Sequence, residues 1–145
     1  MDFYNIIQHA HSGFRYAVIV FLILAIIQSI IGFAGKKPYT NGNRIINMLA
    51  MIFTHTQFTF GVVLYFISPL VQFNSETMKN ATTRYFTVEH WVMMIIAIVL
   101  ITIGHSKSKK IVLPEIKHRT IAIYYAIALT VVVVTLVMGH IPVLK

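Results

Sequence analysis

The chain has no cysteine. That absence removes disulfides, thiolate zinc sites, iron–sulfur clusters and covalent haem attachment through C-x-x-C-H. Any cofactor must be held by histidine, methionine or carboxylate, or by packing alone. Charge is also scarce: 11% of the residues are charged, where a water-soluble domain carries about a quarter. With 57% hydrophobic residues and a mean hydropathy of +0.76, the chain could not cover its own surface in water. This composition belongs to a membrane protein. Enzyme signatures are missing too. There is no G-x-S-x-G, H-E-x-x-H, Gly-rich phosphate loop or paired acidic motif, so an electron carrier or accessory subunit fits better than a stand-alone enzyme. The start, "MDFYNIIQHAHSGF", shows neither the basic region nor the A-x-A site of a removable signal peptide.

What is present is organised as four apolar runs in 145 residues, a single domain spanning 1–145. Each run is long enough for a bilayer span of about 20 residues. They cover roughly 14–35 (with a helical extension back into 3–13), 45–68, 87–105 and 119–141, the last stopped by Pro142. The expected fold is an all-α integral membrane four-helix bundle running up-down-up-down.

The net charge of +8 does not point to nucleic acid, because most Lys and Arg sit in short segments between the runs. The first and third linkers and their flanks hold Lys36, Lys37, Arg44, Lys107, Lys109, Lys110, Lys117 and Arg119. The opposite side holds Arg15, Lys79, Arg84 and Lys145. Eight against four places those linkers in the cytoplasm and both termini on the outer, periplasmic side of a bacterial inner membrane.

Topology turns sequence position into depth. At about 1.5 Å rise per residue, His55 lies roughly 16 Å above the cytoplasmic end of the second span and His90 roughly 22 Å above that of the third. Two histidines at one level on adjacent helices can ligate a haem iron from both sides. His55 and His90 are therefore the candidate metal ligands. Ala97, two turns below His90, leaves room for a flat macrocycle. A lone intramembrane histidine more often serves as an interhelical hydrogen-bonding element, which is the bland reading of each. His105 and His118 are expected at a headgroup-facing boundary. Gln57 lies about 200° round the helix from His55 and should bond a different neighbour.

A second constellation is outer. "QHAHSGFRY" puts His11 and Arg15 on one face of the first helix, and "VEHW" puts Glu89 beside His90. An Arg15–Glu89 ion pair is the plain expectation. Propionate anchoring, a quinone headgroup site and a proton relay through His11, Glu89 and His140 stay open beside it.

Four stretches, "HSGFRY", "THTQFTFGVVLYF", "EHWVMMIIAIVLITIGHSKSKK" and "KHRTIAIYYAIAL", resemble a family of small four-span bacterial membrane proteins. That family is common in the Bacteroidetes lineage and is labelled cytochrome-b-like. The likeness covers nearly the whole chain and implies one motif histidine per helix: His11, His55, His90 and His118, accompanied by Arg15, Gln57 and Glu89. Haem b would be the cofactor, and other membrane subunits or a quinone the partners, within the lipid bilayer. A competing ligand pair, His11 with His90, lies nearer the outer surface. The alternative function is a cofactor-free accessory or scaffold subunit of a larger membrane complex; a proton- or metal-handling transporter is a third reading.

Overall fold

The computed structural model describes residues 2–141. Four helices account for most of it: α1 (Phe3–Ala34), α2 (Asn41–Ile67), α3 (Ala81–Lys110) and α4 (Pro114–Met138), each long and apolar enough to cross a membrane. This is a helical bundle of the multi-pass membrane type. The helices begin earlier in the chain than the apolar runs do, because polar caps set their starts. Asp2 accepts from the Asn5 amide at 2.8 Å, and Thr40 and Asn43 form a reciprocal capping box at the head of α2. Asn80 caps α3, and Pro114 opens α4 at a position where a missing N–H costs nothing. Helix α1 runs back to Phe3, as the expected extension requires. Pro142 and Lys145 lie outside the described residues.

The four helices close into a ring in which α1 packs on α2 and α4, and α3 on α2 and α4, leaving α1 and α3 diagonally opposed. The connections 35–40 and 111–113 share one end of the bundle, called here the basic end. The other, the termini end, carries the 68–80 connection.

The core is drawn unevenly. Helix α4 contributes Ile121, Tyr125, Ala128, Val132 and Leu136, and α1 contributes Val18, Ile19, Leu22 and Ala25. Helix α2 gives only Ala50 to the apolar core, alongside buried Asn47 and Thr54. An aromatic layer crosses the α1–α2 seam, where Phe14 meets Phe53 and Phe60 edge-on at 5.4 and 5.8 Å and Phe21 meets Phe53 at 4.8 Å. Polar side chains gather above and below that layer.

Candidate functional site

At the termini end two half-buried imidazoles come together. His11 of α1 and His90 of α3 meet edge-on with ring centres 6.4 Å apart and planes crossing at 79°. These helices are diagonal neighbours and both start at this end. Side chains lean toward the N-terminus of their helix, so both rings lean toward the same end and meet.

A local departure from α-helical geometry aims His90. Residues Tyr85–Glu89 form a π turn, and the His90 amide donates to the Tyr85 carbonyl, five residues back. Residues five apart would diverge on an α-helix; here they are stacked. Two pairs result. The Tyr85 hydroxyl lies 3.2 Å from His90 Nδ1, and the Arg84 guanidinium lies 2.8 Å from the Glu89 carboxylate.

The Tyr85 hydroxyl also donates to the Thr135 carbonyl of α4 at 2.7 Å. A carbonyl only accepts, so that bond uses the phenolic proton, and Tyr85 can only accept from His90. The proton of His90 therefore sits on Nδ1, which leaves Nε2 with a free lone pair. This is how a hydrogen-bonded partner prepares an imidazole as a ligand. Gly139 makes room for the arrangement, since a Cβ there would collide with the Tyr85 ring.

His11 is set from α2. Gln57 Nε2 donates to the His11 backbone carbonyl at 2.7 Å, so Gln57 does serve a neighbour other than His55. Gly61, one turn on, leaves the space that the His11 ring fills. Arg15 reaches the Tyr16 hydroxyl at 3.1 Å and lies over its ring. Three buried polar atoms around this point have no hydrogen-bond partner: His11 Nδ1, Gln57 Oε1 and Arg15 Nε. Unpaired buried polar groups are costly.

Several expected placements are corrected. His55 does not share a level with His90. Its Nε2 lies 2.9 Å from Thr102 Oγ1, and Thr102 is twelve residues, about 18 Å, along α3 from His90. Helix α2 starts at the basic end, so His55 leans away from His90, which a depth counted along the backbone overlooks. Glu89 pairs with Arg84, not with Arg15. His105 and His118 lie toward the basic end but are packed inside the bundle, being 3% and 1% exposed. His118 Nε2 donates to the Pro38 carbonyl at 3.2 Å, and its ring lies on Gly32 and beside Tyr39.

Sequence reasoning also missed a polar network at the basic end. Gln28 Nε2 donates to Asn47 Oδ1 and to the Asn43 carbonyl, both at 3.0 Å, and Asn43 Nδ2 returns a bond to Gln28 Oε1. Asn47 Nδ2 donates to the Tyr39 hydroxyl at 2.8 Å, and the Tyr125 hydroxyl to the Asn47 carbonyl at 2.8 Å. Burial raises the Tyr39 phenol above its ordinary value, so it stays protonated and available to the network. Amides in otherwise apolar helix stretches (Gln28, Asn47) were the available signal.

Tyr85→Phe is expected to strip His90 and the Thr135 carbonyl of their shared partner and to cost about 1–3 kcal/mol in a denaturant or thermal melt. Arg84→Ala, which breaks a pair with side chains 37% and 31% exposed, should cost below about 1 kcal/mol.

Among the described residues no three of His, Cys, Asp and Glu converge into a metal-holding group. His11 and His90 are two nitrogen donors with ring centres 6.4 Å apart, and a metal held by them would need further ligands of its own. Fold and site together define a bundle of four helices long and apolar enough to span a membrane, with His11 and His90 paired at its termini end. No family model, curated protein or solved structure matches the chain.

Proposed function

We propose that this protein is a b-type haem protein of the bacterial cytoplasmic membrane, carrying single electrons alone or as a small subunit of a redox complex. The observation that supports the reading is the His11–His90 pair, with ring centres 6.4 Å apart and His90 held as the Nδ1–H tautomer. The ligands proposed are thus His11 and His90, with His55 elsewhere.

Haem bound there would be held by His11 and His90 and would supply one-electron redox chemistry. Everything else falls to the chain. Tyr85 fixes the proton of His90, and Gln57 fixes the backbone that bears His11. Arg15, with Nε unpaired, supplies a cation for the carboxylates of such a cofactor. The aromatic layer of Phe14, Phe53 and Phe60 closes the site toward the basic end. The excess of cations at that end supports a cytoplasmic position for it; the haem would then lie toward the outer leaflet and exchange electrons with a quinone or a neighbouring subunit there.

Protein purified from haem-replete cells tests this. A pyridine haemochrome assay should return one non-covalent haem b per chain, extractable with acid acetone because no cysteine tethers it. Colourless protein with a blank assay would refute the proposal.

One observation favours a second reading, a cofactor-free accessory subunit. His55–Thr102 and His118–Pro38 are spent on bonds between elements, the ordinary structural use of a polar residue in such a helix. A stoichiometric partner recovered from native membranes without any chromophore would support it.

A further inference from the structure

At the basic end, a recess of about 280 Å³ lies between the close of α1, the 35–40 connection, the start of α2 and His118 of α4. Ile31, Gly32, Lys37, Asn43 and His118 form its walls. At about 30 Å³ per water in the liquid, it has room for roughly nine waters, or for one small polar headgroup. We infer that it binds a single anionic phospholipid whose headgroup joins a phosphate to a hydroxyl, of the phosphatidylglycerol kind. This rests on the membrane reading of the fold and not on the haem.

Three independent features meet there. The first is charge. Eight of the twelve Lys and Arg lie at this end, with Glu115 the one acidic residue against them. Exposed Lys37 on the recess wall has no carboxylate within ion-pair distance among the described residues. Basic pockets between helices at a cytoplasmic boundary are built for anionic headgroups.

The second is His118. It is 1% exposed, and its Nε2–H is committed to the Pro38 carbonyl. Nδ1 is therefore a lone-pair acceptor, and it is buried without a partner. An acceptor does not want phosphate itself; it wants a hydroxyl hydrogen. A headgroup with both satisfies Lys37 through phosphate and His118 through a hydroxyl.

The third feature commits the site to a lipid. Ile31, on the recess wall, ends an outward stripe on α1 of Val20, Leu24, Ile27 and Ile31, which are 44%, 43%, 49% and 49% exposed. Their spacing of four, three and four places them on one face. The stripe runs about 16 Å from the recess toward the other end of the bundle, a track for an acyl chain.

The test uses the full chain in a zwitterionic detergent, offered phosphatidylglycerol, phosphatidic acid, phosphatidylcholine or inorganic phosphate, with retained lipid counted by native mass spectrometry. One phosphatidylglycerol per chain should be retained, ahead of phosphatidylcholine by about fivefold or more. Lys37→Gln should abolish that preference, while Lys110→Gln, an equal charge loss at the same end but outside the recess, should leave it. His118→Phe should narrow the preference for phosphatidylglycerol over phosphatidic acid. Should that variant not fold, the Lys37 and Lys110 variants carry the test. Equal losses in those two would show diffuse charge attraction and overturn the site. So would raised thermal stability with inorganic phosphate equal to that with lipid, or no retained phosphatidylglycerol at all.

Discussion

Replacing His90 with alanine is expected to abolish haem binding, and His11→Ala to do the same, while His55→Ala keeps a nearly full complement. On the proposal made here, His11 and His90 would together hold the haem. Loss of either leaves a single imidazole facing a void, and loss even of a hydrogen-bonding support typically costs 10–100-fold in metal affinity. His55 is bonded to Thr102, about 18 Å along α3 from His90. Its removal should cost stability alone, on the order of 1 kcal/mol, since Thr102 keeps its own bond to the Ile98 carbonyl. Haem content of purified variants, scored against folded protein by circular dichroism, reads the outcome. Haem lost in His55→Ala and kept in His11→Ala would transfer the iron to a His55–His90 pair and overturn the assignment.

The second large effect is structural and lies at the opposite end. Gly32→Ala is expected to destabilise the bundle by about 1–3 kcal/mol, the usual cost of overpacking. A Cβ at this position falls 2.5 Å from His118 ring atoms, and the ring is pinned by Pro38 and flanked by Tyr39. Retreat would cost the ring its bond to the Pro38 carbonyl and its packing beside Tyr39. Combining Gly32→Ala with His118→Ala should recover most of the added cost, since the new methyl then enters the vacated space. Melts of the two single variants and the double variant give the coupling directly. Additive losses would mean that Gly32 and His118 do not oppose each other as described.

The four helices were legible because run length and hydropathy are enough to find them in so apolar a chain. Their true starts were legible only in part. Thr40 with Asn43, and Asp2 ahead of Asn5, are capping signals that lie outside the apolar runs. The candidate site was harder to read, for two physical reasons. Reckoning depth along the backbone neglects that side chains lean toward their helix N-termini, which separates His55 from His90 and joins His11 to His90. Reckoning faces at 3.6 residues per turn does not bring together residues five apart, as the π turn does for Tyr85 with His90 and Arg84 with Glu89. The ion pair expected for Arg15 went to Arg84 for that second reason. The network of Gln28, Asn43, Asn47 and Tyr39 joins residues 8 to 19 apart in the chain, a proximity that only the packed bundle creates.

The most direct test of the proposed site is the low-temperature electron paramagnetic resonance spectrum of the oxidised, purified protein. Two neutral imidazoles with planes near the 79° seen between His11 and His90 should give a strongly anisotropic low-spin ferric signal, and the signal should vanish in His11→Ala. A high-spin haem signal in the unsubstituted protein, or a low-spin signal that survives His11→Ala, would contradict a haem held between these two residues.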